Sequence, residues 1–246
     1  GIGWDGNVRA GQISLLMTRP LGLRGVINPV AATGGQEPQE MADARENAPL
    51  TVLTMDRVVS LRDYHDFARG YAGVGKAHAV WSWDAGTRGV FVTVAGPDGA
   101  AVPPGSRTQT GLLGALASHG DAHVPVRVVS YRPAPFRLKA TVHCDPDHLP
   151  STVKAAVEAA LAERFGFAAR AFGERVALSQ VQAVIQGVPG VRWLEVTLLH
   201  RDDESPTREP WLPAQAPGSG GDAPKLKGAE LLTLELRPDD ITVVTP

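Results

Sequence analysis

Cysteine is nearly absent from this chain. Its 246 residues contain one cysteine, Cys144, so no disulfide can form within the chain. Small secreted domains commonly depend on several disulfides, whereas proteins of a reducing cytosol do not. We therefore expect a cytoplasmic protein, and its length and hydrophobic content of 43% allow more than one compact unit.

The sequence also lacks a charge imbalance and a long apolar run. Its 24 lysines and arginines and 26 aspartates and glutamates give a formal net charge of −2 at pH 7. Nucleic acids and anionic membranes are bound through an excess of positive charge, so neither is predicted as a partner. No apolar run approaches the roughly 20 residues of a membrane-spanning helix, so membrane insertion is not expected either.

Two helices carry start and stop signals between Thr33 and Val80. The first is predicted to begin at Glu37 or Pro38, because proline is tolerated at a first helical position, and to end before Pro49. Acidic residues in its first turn suit the helix dipole.

A capping box marks the start of the second helix. Ser60 is followed three residues later by Asp63, so the hydroxyl and the carboxylate can bind amides that the first turn leaves without partners. Glycines at positions 70, 73 and 75 end the helix before an extended segment. The apolar stripe of this helix consists of Leu61, Tyr64, Ala68 and Tyr71.

The patterns of residues 36–132 predict a small α/β domain. Gly111 and Gly114 weaken the predicted helix around Leu112–Leu116 by about 1 kcal/mol each relative to alanine. Trp81 and Trp83 share one face of a strand, and we predict that they pack in the core or between domains. The predicted elements are a hairpin of Lys76–Trp83 and Gly89–Ala95, a helix around Leu112–Leu116 and a strand over Val124–Val129.

An extended arm is predicted over residues 1–35. Its two apolar stretches, Ile13–Met17 and Gly25–Val30, are bounded by proline and glycine and are typical of strands or extended segments. Two interpretations stay open: a pair of edge strands packed on the main body, or an arm that adds to the sheet of a neighbouring subunit.

A second α+β domain is predicted over residues 133–246, after a linker at Tyr131–Pro135 whose two prolines cannot continue a strand ladder. The long loop at 201–228 exceeds an ordinary hairpin connection. The fold class is therefore α+β with two units. The elements of the second unit are a strand at Phe136–Val142, helices at Val153–Phe165 and Leu178–Val188, and strands at Val191–Leu199 and Leu231–Leu236.

Several motifs, in the same order along the chain, resemble the baseplate J-like assembly proteins. They are GNV at Gly6–Val8, NP at Asn28–Pro29, GGQEPQEMADARENAP at Gly34–Pro49, DRVVSLRDYHDFAR at Asp56–Arg69, GVGKAHA at Gly73–Ala79 and GVPGVRWLEV at Gly187–Val196. This family builds the baseplate wedges of contractile phage tails and related injection systems. The chain starts without methionine, in what resembles the middle of the family pattern, so we expect it to be either a fragment or the C-terminal part of a longer protein.

The resemblance implies a structural baseplate wedge component without enzymatic activity or a cofactor. Its implied partners are other copies of itself, a related wedge protein, and the components that link the wedge to hub and sheath. It would be incorporated into a phage tail-like particle in the cytoplasm, where it would assemble the ring and couple it to sheath contraction. A type VI secretion wedge is an alternative of the same class.

Two short motifs point to a different class, a small nucleotide- or metal-binding enzyme. Gly70–Lys76 has the glycine and lysine positions of a phosphate-binding loop, but a helix precedes it, a strand follows it, and Ala77 replaces the magnesium-binding hydroxyl. His143–His148 is rich in potential metal ligands, but side chains of one strand alternate in direction and no second cluster with zinc-site spacing is obvious. We predict no catalytic residue, no cofactor site and no metal ligand.

Interface positions are predicted on the two helices and in the long loop. Trp211 lies in a polar, proline-rich stretch, where it either anchors on a partner or folds back on its own domain, and both interpretations stay open. The predicted packing and interface residues are Arg45, Asp63, Tyr64, Phe67 and Trp211.

Overall fold

The computed structural model describes residues 3–18, 21–32, 57–84, 87–218 and 227–245, and these confirm the α+β class. The first predicted helix, at 37–48, lies outside the described residues. The helices are α1 (Leu61–Arg69), α2 (Arg107–His119), α3 (Pro150–Phe165) and α4 (Leu178–Gln186). The strands are β1 (Lys76–Asp84), β2 (Thr87–Ala95), β3 (Val126–Ser130), β4 (Arg132–Cys144), β5 (Val176–Ala177), β6 (Val191–Arg201), β7 (Trp211–Leu212), β8 (Glu230–Leu234) and β9 (Ile241–Val244).

Helix α1 begins where its capping box predicts. The Ser60 hydroxyl accepts a hydrogen bond from the Asp63 amide at 3.2 Å, and the Asp63 carboxylate accepts from the amides of Ser60 at 2.8 Å and Val59 at 3.0 Å. On the inner face of the helix, Tyr64 and Ala68 are buried in the apolar cluster that also contains side chains of β1 and β2. This helix is therefore stabilised by hydrogen bonds to three amides that would otherwise lack partners and by the burial of its apolar face.

The first sheet has the strand order β1-β2-β3. Strands β1 and β2 form the predicted antiparallel hairpin, and β3 pairs with β2 in parallel after the crossover through α2. Strand β2 is central, and its residues 90–95 are all buried. Leu112 and Leu116 of α2 are buried in the same core, as their spacing predicts.

The predicted linker at residues 131–135 is wrong, because β4 begins at Arg132 and continues through both prolines. The Arg132 amide and the Phe136 carbonyl both bond toward the β8 side of the strand. Pro133 and Pro135 therefore direct their nitrogens to the opposite edge, where β6 pairs only from Phe136 onward. Pro133 lies beyond the end of the β4–β6 pairing, and the Pro135 carbonyl still accepts a hydrogen bond from the Asp202 amide at 2.9 Å. The division into domains at 36–132 and 133–246 stays a prediction.

The second sheet is built around β4, the longest strand, in the order β6-β4-β8 with β9 also pairing with β4. Strand β6 runs antiparallel to β4, whereas β8 and β9 run parallel to it. Helix α3 covers this sheet, and its Phe165 ring meets the Phe136 ring edge-on at 5.8 Å. The buried residues of α3 are Val153, Val157, Leu161 and Phe165, as predicted.

Two parts of the chain differ from their predicted local structure. The long loop after β6 contains strand β7, which pairs with β5, and Leu212 of that strand is fully buried. Residues 3–18 and 21–32 contain no strand; instead the Asn28 side chain accepts from the Ile13 amide at 2.9 Å and donates to the Arg9 and Val30 carbonyls at 3.0 Å. The role of this segment as an arm stays a prediction.

Candidate interaction surfaces and the cleft between the two sheets

Asp63 and Tyr64 have structural roles within α1. The hydrogen bond from the Ser60 amide lowers the pKa of Asp63, burial opposes it, and the bond from the Val59 amide lowers the pKa further, so the carboxylate is held as the helix cap. Tyr64 is a packing position with 1% of its side chain exposed, and burial raises the pKa of its hydroxyl. The role of Tyr64 at an interface stays a prediction. Arg45 lies outside the described residues.

Asp63, Phe67 and Trp211 are the predicted interface residues that retain exposed surface in the described part of the chain. Phe67 is half-buried, and its ring lies 5.2 Å from the His119 ring of α2. Trp211 pairs through its backbone with Ala177, while 51% of its side chain remains exposed. Their roles in a protein interface stay predictions.

The hairpin tryptophans are exposed, so the prediction that they pack inside the protein is wrong. Trp81 is 40% exposed and Trp83 66%, and the Arg88 guanidinium lies 4.7 Å from the Trp81 ring. Ala77 and Ala79, on the same face of β1, are buried. The predicted alternation of side chains along β1 is therefore confirmed. The tryptophans are exposed because the outer part of the hairpin extends beyond the part of the sheet that the helices cover.

A second exposed aromatic pair lies on the other sheet and is not evident from the sequence. Trp193 of β6 is 50% exposed and stacks on the His143 ring with a centroid distance of 3.4 Å. The two residues are direct cross-strand neighbours in the β4–β6 register, a relation that a single sequence does not reveal. The neighbouring Cys144 is buried, and its thiol donates to the Asp145 carbonyl. No group of three or more His, Cys, Asp or Glu side chains within the described residues is placed to hold a metal ion.

The Gly70–Lys76 segment joins α1 to β1, as the sequence predicts. Gly73 lies at φ +84°, a backbone conformation that glycine adopts without strain. The Lys76 ammonium donates a hydrogen bond to the Ala168 carbonyl at 2.8 Å and lies 5.2 Å from the centre of the Phe167 ring. The lysine of the apparent phosphate-binding motif therefore links the first sheet to the loop that follows α3.

Further contacts join the two sheets around the β3–β4 connection. The Tyr131 hydroxyl donates to the Gly99 carbonyl at 2.5 Å, and the Ala229 amide donates to the Thr93 hydroxyl at 3.2 Å. At Gly228 a Cβ atom would lie 2.1 Å from a backbone carbonyl oxygen of β3, so only glycine fits at this crossing. The first sheet is thus fixed to the second through backbone groups as well as side chains.

A cleft of about 360 Å³ lies beside these contacts, between the α1–β1 region and the loop after α3. Its walls carry several basic groups. The lining residues are His65, Arg69, Gly75, Lys76, Ala77, His78, Ala168, Ala169, Arg170, Ala171 and Phe172.

Burial and neighbouring charges shift the pKa of two groups that line this cleft. Burial lowers the pKa of Lys76, the Arg69 guanidinium lowers it further, and Glu174 opposes both to a smaller extent. Burial and the neighbouring His65 lower the pKa of His78. The Arg170 guanidinium is committed elsewhere: it pairs with the Glu174 carboxylate at 2.9 Å and donates to backbone carbonyls.

The comparisons with known proteins place part of the chain in a family model. Residues 56–129 match the model of the baseplate J-like central domain, which confirms the resemblance that the motifs predicted. No curated protein matches the chain. Among the solved structures that match is the cryo-EM structure of the anti-feeding prophage (AFP) baseplate, 6-fold symmetrised, with a TM-score of 0.50 and 11% sequence identity. The match covers 89% of this chain and 48% of the AFP chain, so the chain spans about half the length of that protein. In the described residues no helix has the length and apolar character to cross a membrane.

Proposed function

We propose that this chain is a structural subunit of the baseplate of a contractile injection system. The premise is that residues 56–129 match a baseplate J-like central domain. That match is the observation that carries the proposal. The fold of the AFP baseplate chain supports it, because the likeness extends over 89% of this chain and therefore includes the second sheet.

The finer role we propose is that of a wedge subunit that assembles the baseplate ring and couples it to sheath contraction. Its partners would be other copies of itself, a related wedge protein, and the components that connect the wedge to hub and sheath. Such a subunit acts through packed contacts that have two stable arrangements, one before and one after contraction. We propose that it does so without catalysing a reaction, inside the cytoplasm where the particle is built.

The surface of the chain suits this role. Exposed tryptophans occur on both sheets, at Trp81 and Trp83 of the hairpin and at Trp193 of β6, and a fourth lies at Trp211. Large aromatic side chains contribute strongly to protein interfaces when a partner buries them. Because these residues lie on well-defined strands, their positions are set before a partner arrives, which reduces the entropy cost of binding.

Deletion of the gene in the source cells tests the proposal. We expect sheath and tube proteins to be made but not to be recovered as complete particles, and a tagged copy of the chain to sediment with complete particles and to be visible in their baseplates. Complementation with the Trp83→Ala and Trp193→Ala variants would show whether the exposed aromatic residues are needed. Complete, contractile particles in the deletion strain, or a tagged chain that never sediments with particles, would contradict the baseplate role.

A further inference from the structure

The arm at the start of the chain exposes most of its large apolar side chains. Leu15 is 84% exposed, and Met17 and Leu21 are fully exposed. Among the described residues, eight of the fifteen exposed large apolar side chains lie between Ile13 and Val30. These side chains make little contact with the rest of their own chain. Apolar surface concentrated in this way is typical of a segment that binds another surface, because its contact with water is unfavourable.

Hydrogen bonds at the base of the arm hold it in a doubled shape. The Gly11 amide donates to the Asn28 carbonyl at 2.8 Å, and the Ala32 amide donates to the Val8 carbonyl at 2.9 Å. The Asn28 side chain adds two further bonds across the same base. The apolar part of the arm is therefore a loop with fixed ends, which reduces the entropy that it would lose on binding.

The outward stretch of the arm has the side-chain pattern of a strand. Ile13, Leu15 and Met17 are two positions apart, so in an extended backbone they share one face, and Ser14 lies on the other. Residues 12–18 pair with no strand in the described part of the chain. A segment that has one apolar face and lies outside any strand ladder fits the edge of a sheet.

Strand β1 offers such an edge, because it is the outer strand of the first sheet among the described residues. The Val90 amide of β2 donates to the Pro125 carbonyl, on the side of β2 that faces β3. In an antiparallel pair, opposite residues direct their backbone groups either toward each other or away from each other. Trp81 is opposite Val90, so its amide and carbonyl point away from β2, and those of Trp83 do the same two residues later. The outer edge of β1 can therefore pair with a further strand.

This edge lacks the features that normally prevent a free edge from pairing with other chains. Between Lys76 and Asp84, β1 contains no proline, lysine, arginine, aspartate or glutamate, and its pairing with β2 has no bulge. Strand β6 of the second sheet differs, because its pairing has two register shifts and it exposes Arg192 and Glu195. The exposed large side chains of β1 are instead its two tryptophans, which are apolar.

We propose that the arm of one copy of this chain adds as a strand to the outer edge of β1 in a second copy. Ile13, Leu15 and Met17 then lie on the same face of the extended sheet as Trp81 and Trp83, and the two apolar surfaces cover each other. Because donor and acceptor are both on this chain, identical copies are enough to form the contact. The inference rests on the proposed function, since it names one contact by which copies of a baseplate subunit would join.

Sedimentation of the purified chain over a range of concentrations measures the association. We expect the chain to associate as its concentration rises. Leu15→Lys and Trp83→Lys should each weaken the association by about tenfold or more, because each places a charge in an apolar contact. Leu149→Lys is the matched control, since it introduces the same charge at a leucine that is 71% exposed and belongs to neither surface. It should change the association by less than about twofold, and circular dichroism checks that all three variants are folded.

Cross-linking between differently tagged copies locates the contact. Ser14 and Ser82 lie on the faces of the arm and of β1 that are opposite to the apolar rows, so cysteine at either position leaves the apolar contact in place. A short bismaleimide should join Ser14→Cys chains to Ser82→Cys chains. It should not join Ser14→Cys chains to Ser205→Cys chains, in which the cysteine replaces an exposed serine of the second half. Cys144 is buried, so the native thiol should contribute little background.

Several results would overturn the proposal. They are a chain that stays monomeric at every concentration, equal weakening by Leu149→Lys, and cross-linking that does not prefer Ser82→Cys over Ser205→Cys. A cross-link within a monomer that carries both Ser14→Cys and Ser82→Cys would place the arm on its own sheet, which also excludes a second copy as the partner. These measurements use the isolated chain, so such a result leaves the baseplate role to the deletion experiment. Complete particles in the deletion strain, in turn, would not alter the association result.

Discussion

The two halves of the described chain are held together by different chemistry. The core of residues 57–130 is almost entirely apolar, and its one buried polar residue within the described part of the chain, Thr93, accepts a hydrogen bond from Ala229 of the other half. The core of residues 131–245, as far as it is described, includes several buried charged or ionisable groups. They are Arg137, Arg170, His200, Glu230 and Asp240.

The difference follows from how each sheet is assembled. The first sheet is made from a hairpin and one crossover, so short connections fix its order. The second places β8 and β9 beside β4 after the chain has passed through two helices and a long loop, and ion pairs lie where those late strands meet β4. Buried ion pairs add little net stability compared with apolar residues of the same shape, but losing one partner is severe, so they favour a single register. We infer that the first half depends on apolar packing alone, whereas the second half adds buried charge pairs to an apolar core of its own.

The largest effect is expected from Asp240→Ala. Asp240 accepts hydrogen bonds from the Arg137 guanidinium at 2.9 Å and from the Arg237 amide at 2.7 Å, and both ionised side chains are buried. Removal of the carboxylate leaves the Arg137 charge buried without its partner, so we expect the free energy of unfolding to fall by about 3–5 kcal/mol. Chemical denaturation measures this loss. The adjacent Asp239→Ala, at an exposed side chain, should change stability by less than about 0.5 kcal/mol.

The corresponding change in the first half is Leu112→Ala in α2. Leu112 is fully buried against the first sheet, so the variant should lose about 3 kcal/mol through lost burial and an unfilled cavity. The neighbouring Leu113, which is 37% exposed, is the matched control and should lose about 1 kcal/mol or less. The loss at Leu112 should not vary with pH between 4 and 8, because no ionisable group is removed. A strong pH dependence would contradict the contrast between the two halves.

A smaller and pH-dependent effect is expected from Glu230→Gln. The Glu230 carboxylate accepts from the Arg201 guanidinium and the Gln215 amide, each at 2.9 Å, and lies 3.1 Å from the Arg132 guanidinium. Burial raises the pKa of Glu230, but the Arg201 and Gln215 hydrogen bonds and the two positive charges outweigh it, so the pKa is lowered below 4.5. At pH 7 the variant should lose about 1.5–3 kcal/mol, the range for a hydrogen bond to a charged group.

The pH profile of Glu230→Gln has a defined sign. A carboxyl whose pKa is lowered by folding contributes its full stability above its unfolded pKa and loses it as the pH falls through the folded pKa. Wild type and variant should therefore differ most above pH 5 and converge below pH 4 in thermal unfolding scans. Glu235→Gln, at an exposed side chain of the following turn, should show no such convergence. A difference that stays constant down to pH 3 would exclude an electrostatic role for Glu230.

Local signals in the sequence predicted most helices and strands but not the way the strands are joined. The Ser60–Asp63 capping box, the hairpin and the α3 stripe depend on residues a few positions apart, and all three are confirmed. The continuation of β4 through Pro133 and Pro135 depends on which edge meets β6, and the exposure of Trp81 and Trp83 depends on where the helices end over the sheet. Both features depend on tertiary contacts, which the local sequence does not specify.

The cleft could not have been predicted from the sequence for the same reason. Arg69 and Lys76 are close in the chain, but the opposite wall comes from the loop at 168–172, almost 100 residues later. The lysine of the Gly70–Lys76 motif lines the cleft, and its ammonium donates a hydrogen bond to the Ala168 carbonyl. The Ala168 carbonyl, which is distant from Lys76 in the sequence, holds this lysine in position.

The smallest effects are expected at the helix starts, which also differ between the halves. Helix α1 has Ser60 as its cap and α2 has Ser106, whose hydroxyl accepts from the Gln109 amide at 3.3 Å. Helix α3 of the second half begins after Leu149, which offers no capping side chain and is 71% exposed. Ser60→Ala should lower the free energy of unfolding by about 1 kcal/mol.

Leu149→Ser should do the reverse and raise the stability of the second half, but by only about 0.5 kcal/mol. The backbone at Leu149, with φ −78° and ψ 124°, already has the extended conformation of a capping residue, so a serine there needs no rearrangement. The gain is limited because Pro150 has no amide to satisfy and the Thr152 amide already donates to the Leu149 carbonyl at 3.0 Å. Leu149→Ala, which lacks the hydroxyl, separates the cap from the simple removal of an exposed leucine. Equal gains in stability from Leu149→Ser and Leu149→Ala would mean that the exposed leucine, and not the missing cap, makes the start of α3 weaker than that of α1.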